Sequence, residues 1–346
     1  MPGLTQVLPN VPAPAGGVTY RLMRGLEDIP GMAAANAASR AAQGILEPVD
    51  EPEMRRHYGK HLVNSVMTRD VLVAEEAGRT VGYVRTSWRD HGDGSRAYEV
   101  TLLVDPAVWG RGVARTLLSW AGEHHRALID AEPLVHRADR FRFLELFAFG
   151  GDQEVMKAVE DAGYRAVRRG AEMLRDRLDD ELPDVPLPDG FEIRPIGPDD
   201  VRALWDAGVE AFSDSFGEGV PADEDWLKFR DDPRRDLSLV IVAYAGDDLA
   251  GYVINLLEPQ DDGAVRGLLD GVATRAPYRR RGLARALVVR SLHALRERGA
   301  ADAYLGVDLQ NPNQALTLYE SCGFRVVSSG LVYRLPLDGP WPEDPA

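Results

Sequence analysis

Cysteine is almost missing. The 346-residue chain holds one, Cys322, so no intramolecular disulfide can form and no cysteine-based metal cluster can be built. Its 7 histidines do not make up the loss. Only His57/His61 and the adjacent His124/His125 are close in sequence, and with no Cys or His-x-Glu partner around them no metal is expected. Positive charge is also short: 40 Lys and Arg against 55 Asp and Glu leave a formal net charge of -15. That balance argues against a broad nucleic-acid face, whose sequence-independent affinity comes from basic residues meeting phosphates. No run approaches the roughly 18 apolar residues that span a bilayer, so no membrane partner is expected. The start, "MPGLTQVLPNVPAPAGG", lacks a basic segment followed by an apolar one. A soluble, cytoplasmic protein with a disordered lead-in over residues 1–17 is the expectation.

What is present is length and internal symmetry. The chain exceeds the size at which a single hydrophobic core stops growing, and 45% hydrophobic residues supply two cores. "VLVAEEAGRTVGYV" (Val71 to Val84) matches "LVIVAYAGDDLAGYV" (Leu239 to Val253), each an apolar strand, a Gly-containing turn and a second strand ending Gly-Tyr-Val. "DPAVWGRGVARTLL" matches "RAPYRRRGLARALV", setting Gly112 against Gly282, and "VEDAGY" matches "YESCGF", setting Gly163 against Gly323. Each half reads as strand, helical stretch, hairpin, long strand, helix, strand, helix, strand. This order implies an α+β fold with a mixed sheet, present twice. Domains are expected over residues 18–178 and 191–337, with the proline-rich acidic stretch 179–190 as linker and 338–346 as tail.

In so acidic a chain the run Arg279-Arg280-Arg281 is local. It precedes Gly282 and a helix over about Gly282 to Arg298, whose Ala284, Leu287, Val288, Ser291 and Leu295 recur at helical spacing. A helix N-terminus carries unpartnered N–H groups and the positive end of the macrodipole. Gly282 clears the approach and Ala284 keeps the next turn narrow, so the site suits a pyrophosphate. Downstream, "LGVDLQNPNQALTLYESCGFRVV" gives a strand to about Leu309, a helix with Ala315, Leu318 and Tyr319, and a stop at Gly323.

Together, "VATRAPYRRRGLARAL" and "NPNQALTLYESCGF" resemble the two signature motifs of the GCN5-related N-acetyltransferase (GNAT) family. The doubled arrangement is similar to mycothiol synthase-like two-domain acetyltransferases, and the fold implied is two tandem GNAT folds with catalysis in the second. The resemblance implies acetyl-CoA as acetyl donor, its pyrophosphate held by Arg279, Arg280, Arg281, Gly282, Leu283, Ala284 and Arg285. It places Val272, Ala273 and Thr274 along the pantetheine arm, Asn311 at the far end of the cofactor, and Tyr319 as the acid that protonates the leaving thiolate. One departure is Pro277, a residue later than the family's usual proline.

Attack of an amine on a thioester needs a base. An amine of pKa about 10.4 costs about 4.6 kcal/mol to neutralise at pH 7, one near 8 only about 1.4. Asp270 is the candidate base, because strand alternation puts it on the face of Val272 and Thr274, with a bulge or turn beside Gly271 as the alternative reading of this aspartate; Glu258 and Asp308 are fallbacks. In the first half Trp109 replaces Arg279 and Val159 stands in the place of Tyr319, so that copy is degenerate, although Leu102 to Val104 and Gly110 to Arg115 could still hold a cofactor. Asp206, Glu210 and Asp214 form an acidic helix stripe able to attract a cationic amine, and Trp205 and Trp226 could wall the cleft. The function expected is N-acetylation of the primary amine of a small molecule. The alternatives are acetylation of a protein or peptide amine and a non-catalytic acyl-CoA-binding module.

Overall fold

The computed structural model describes residues 10–46, 49, 51–217, 219–260 and 263–341. They fall into two compact units, one of Met1–Arg168 with Gly330–Ala346, the other of Arg169–Ser329.

In the first unit β1 (Thr19–Leu22) leads into α1 (Ile29–Gln43), α2 (Glu51–Lys60) and the single turn α3 (Met67–Asp70). A hairpin of β2 (Val71–Glu76) and β3 (Arg79–Asp90) follows, then β4 (Arg96–Val104), α4 (Val113–Ala131), β5 (Arg142–Phe149), α5 (Gln153–Asp161) and the start of β6 (Arg165–Arg175). The hairpin turns through Ala77 and Gly78, both at positive φ, the twist that suits a two-residue connection. The second unit repeats the plan with β7 (Glu192–Ile193), α6 (Val201–Phe212), α7 (Asp223–Arg230), β8 (Ile241–Ala245), β9 (Asp248–Pro259), β10 (Val265–Thr274), α8 (Leu283–Glu297), β11 (Asp302–Asp308), α9 (Ala315–Ser321) and β12 (Arg325–Pro336). In both units the first four strands pair antiparallel and the fourth pairs parallel with the fifth. That is the mixed sheet expected of each half.

The closing strands are exchanged. β5 is completed by β12, in register from Gly330↔Phe149 to Pro336↔Phe143, and β11 by β6, from Ala303↔Arg175 to Asp308↔Gly170. Residues 169–178, expected to close the first domain, therefore belong to the second unit, and residues 330–337 to the first. Gly330 permits its pairing: a Cβ there would lie 2.4 Å from Phe147 and 2.6 Å from the Ala148 carbonyl oxygen. The stretch 179–190 is not a free linker either. Leu182 is buried in the second core beside Leu178, and the Val185 carbonyl accepts from Arg290 of α8 at 3.0 Å. Of the expected lead-in, residues 1–9 lie outside the described residues; Ala15 bridges Val18 and the Gly16 carbonyl accepts from Arg111, so the described part is held, not disordered. In the tail, Asp338 takes both arms of Arg142 at 2.6 and 2.7 Å, and residues 342–346 lie outside the described residues.

Packing positions α8. Leu287, Val288, Leu292 and Leu295 are fully buried, and at about 1.5–3 kcal/mol for each such side chain they hold the helix more firmly than its propensity does. On the opposite face of the same sheet, Leu204 and Ala207 of α6 pack with Val242, Tyr252 and Leu256. A buried amide links strand to helix: Asn255 of β9 donates to the Leu239 carbonyl at 2.7 Å and to Ser291 of α8 at 3.0 Å. Among the described residues no helix is long and apolar enough to cross a membrane.

Candidate active site

The second unit opens where two of its strands part. β10 and β11 pair only over Arg266↔Asp302, Gly267↔Ala303 and Leu268↔Tyr304, yet both strands run on. Beyond Leu268 one edge of β10 stays bonded to β9, as Val272↔Val253, Ala273↔Tyr252 and Thr274↔Gly251. Among the described residues its other edge pairs with no strand there; the Thr274 carbonyl is taken by Arg279 at 3.0 Å, and the other main-chain groups of that edge are left to an extended, amide-bearing ligand. Thr274 Oγ1 is buried there without a hydrogen-bond partner.

The arginine run lies at the end of that open edge. α8 begins at Leu283 after Gly282, whose φ of 82° is in the left-handed region, and only Pro188 Cγ, at 3.8 Å, comes near a Cβ built on it. Among the described residues the N–H groups of Arg280 through Arg285 donate to no protein acceptor. Six successive amides are therefore available to an anion. Arg280 is exposed and without a partner among the described residues, and adopts φ 63°, a conformation the first copy assigns to Gly110 at φ 76°. Arg281 lies over the Phe191 ring at 4.4 Å. Arg285 is exposed on the first turn.

Arg279 does not face the anion site as expected. Its Nε donates to the Thr274 carbonyl at 3.0 Å, and its other nitrogens bond Asp214 and the Ala211 carbonyl. The guanidinium binds the end of α6 to the loop, and its hydrogen bond holds the Asp214 carboxyl below the usual carboxylate range. The acidic stripe is spent in the same way. Asp206 pairs with Arg202 within α6 at 2.9 Å and Glu210 with Arg275 of the loop at 2.7 Å, so the stripe does not present an unpaired negative face. Asn311 also turns inward, its Oδ1 accepting from the Asn313 N–H at 2.7 Å to close its own turn.

Asp270 lies at a β-bulge. The β9–β10 register shifts between Leu269 and Gly271, which breaks simple alternation. Val272 packs on the α8 side and Ala273 on the α6 side, whereas Asp270 faces Arg234, Asp232, Arg235 and Lys228 near Tyr252. The expected shared face with Val272 is thus lost to the extra residue. Protein surrounds the carboxylate on most sides while leaving it exposed. Desolvation raises its proton affinity above the usual carboxylate range, against the pull of Arg234. The fallbacks are already engaged: buried Glu258 accepts the Tyr304 hydroxyl at 2.9 Å, and Asp308 accepts the Gln310 N–H at 2.9 Å.

Tyr319 is buried in the α8-side core, edge-on to Phe324, and burial raises its phenol above the ordinary value. Its hydroxyl has no protein partner among the described residues. Asp270 and Tyr319 lie on opposite faces of the sheet, so one substrate reaches both only through the opening between β10 and β11. On the Asp270 side, Trp205, Trp226 and Phe229 form one aromatic group with ring centroids 5.1–6.3 Å apart. Arg235 lies over Phe229 at 3.9 Å. The sequence reading missed Asp232, Arg234 and Arg235, although "DDPRRD" is a dense charge cluster beside the aromatic helix.

A mixed sheet whose fourth and fifth strands part beside a loop leading into a helix, a plan present twice, with an open anion loop in the second copy, is that of a GNAT-type acyltransferase. The chain belongs to the acetyltransferase (GNAT) family, whose sequence profile matches residues 43–141 and 205–324. Mycothiol acetyltransferase of Thermomonospora curvata is 31% identical over 238 residues, covering 67% of this chain and 77% of that protein. The mycothiol acetyltransferase of Geodermatophilus obscurus is 29% identical over 292 residues, covering 83% and 87%. Two solved structures share the fold: a GCN5-related N-acetyltransferase from Sphaerobacter thermophilus, with TM-score 0.70 at 22% identity over 95% of this chain and 98% of that one, and a tandem GNAT protein from the clavulanic acid biosynthesis pathway, with TM-score 0.63 at 15% identity over 93% and 99%.

Proposed function

We propose that the second unit transfers an acetyl group from acetyl-CoA to the primary amine of a small molecule. The observation that carries this reading is the row of unpartnered amides from Arg280 to Arg285, beside an unpaired strand edge. The curated relatives named mycothiol acetyltransferase support a small-molecule acceptor.

When bound, acetyl-CoA supplies an activated thioester, so that the amide C–N bond forms as the C–S bond breaks. The loop amides and the side chains of Arg280, Arg281 and Arg285 hold its pyrophosphate, with Gly282, Leu283 and Ala284 shaping the turn. Arg279 keeps that loop in place through Asp214. The open edge along Val272, Ala273 and Thr274, apart from the Thr274 carbonyl held by Arg279, pairs with the amides of the pantetheine arm, and the turn closed by Asn311 borders its far end. Asp270 accepts the amine proton on its carboxylate, and its raised proton affinity moves it toward the working pH. Tyr319 holds its phenolic proton for the departing sulfur. A carboxylate base suits an amine whose pKa lies well below that of lysine, since the weaker amine costs about 3 kcal/mol less to neutralise.

Thiol release from acetyl-CoA, followed over a panel of small primary amines and amine-bearing peptides, tests the proposal. Turnover on a small amine is expected. Turnover confined to peptides, or none on any amine, would count against it.

A further inference from the structure

The first unit repeats these elements, and the same test of fit gives the opposite answer. Its helix α4 follows Gly110-Arg111-Gly112, but the Gly110 N–H already donates to Glu154 Oε2 at 2.9 Å. A carboxylate from the start of α5 therefore rests on the backbone where a phosphate would have to lie. Aligning Val159 with Tyr319 puts neutral Gln314 in the corresponding place of the second half. The nearby cations are engaged within the unit: Arg111 with Glu76 at 2.6 Å, Arg115 with Asp161 at 3.1 Å, and Arg79 with Asp105.

The end of α1 also meets the loop after β5. β4 and β5 stop pairing after Glu99↔Glu145, as their counterparts stop after Leu268↔Tyr304. Gln43, the last residue of α1, donates to Asp152 Oδ2 at 3.2 Å, and a Cβ on Gly151 would lie 3.1 Å from Gln43 Cα. The end of α1 thus abuts the loop that follows β5. Val159, fully buried, has no proton to give a leaving group.

We infer that the first unit takes no acyl-CoA: Glu154 fills its phosphate loop and the end of α1 closes the opening between β4 and β5. The chain then holds one cofactor, in the second unit. The inference rests on the proposed function only for the ligand with which the two loops are compared.

Hydrogen–deuterium exchange on the full chain, with and without saturating CoA, reads both loops in one sample. Amides 280–285 are expected to slow at least tenfold while 110–115 stay unchanged. Slowing at 110–115 would overturn the inference. Slowing at neither loop would overturn the proposed function and leave the first unit as described. In a Glu154→Ala chain, inorganic pyrophosphate is expected to slow exchange at 110–115 at least threefold, with no such effect in the parent. No change in that variant would overturn the role given to Glu154.

Discussion

Replacing Arg280 by glycine should make the protein more stable and a poorer binder of CoA, two effects of opposite sign from one side chain. Arg280 sits at φ 63°, where an L-residue costs roughly 1–2 kcal/mol. Glycine removes that cost but adds roughly 0.5–1 kcal/mol of unfolded-chain entropy, leaving a net gain of roughly 0–1.5 kcal/mol, centred on about 0.75. No stabilising contact is lost, because the guanidinium is exposed and has no partner among the described residues. For a unit of this size the gain corresponds to a rise in Tm of about 1–4 °C. Loss of one charge-assisted hydrogen bond to a phosphate should cost about 1.5–3 kcal/mol of binding, roughly ten- to a hundredfold in Kd. Scanning calorimetry reads the first quantity and isothermal titration with CoA the second. Arg280→Ala separates the causes, keeping the strained backbone while losing the charge, so its affinity should fall without any gain in Tm. An Arg280→Gly chain that binds CoA as well as the parent would refute the placement of the pyrophosphate.

Tyr319→Phe should lower kcat about a hundredfold or more while the KM for acetyl-CoA stays within threefold, since the ring keeps its packing against Phe324; steady-state kinetics with both substrates varied checks this. Asp270→Asn should abolish the acidic limb of the pH–rate profile. It should also raise Tm at pH 7, because the native pKa lies above the unfolded value: the native state gains stability from holding the proton at low pH and loses it as pH rises through the native pKa. The advantage of the asparagine chain should therefore shrink as pH falls through the native pKa. Asn255→Ala removes the donor to the Leu239 carbonyl and Ser291 and should cost about 1–3 kcal/mol, seen as a lower denaturant midpoint. Glu210→Gln breaks only a half-exposed pair with Arg275 and should leave the KM for the amine within twofold, since the stripe is already neutralised.

The sequence was informative where a residue type has few uses. A glycine after a basic run, before a helix with a clear apolar spacing, located α8 to within a residue at each end. Internal matching located both copies of the sheet. What it could not show is which copy a strand completes: "RAVRRGAEMLR" and "RVVSSGLVYRLP" carry similar patterns with a glycine at the same place, so either can close either sheet. Alternation placed Asp270 wrongly because a bulge, whose mark in the sequence is Gly271, inserts an extra residue there. Three neighbouring arginines look alike in sequence, yet Arg279 is a tether, Arg280 an exposed cation on a strained backbone, and Arg281 a cation over an aromatic ring. These roles depend on partners far away in the chain, Asp214 and Phe191 among them.

Acetyl-CoA is proposed to seat its pyrophosphate on the loop from Arg280 to Arg285. Isothermal titration of the full chain with acetyl-CoA tests this most directly. One equivalent is expected to bind, with Gly282→Glu removing the heat while the circular dichroism spectrum stays that of the parent. Absence of binding in the parent, or undiminished binding in a folded Gly282→Glu chain, would contradict it.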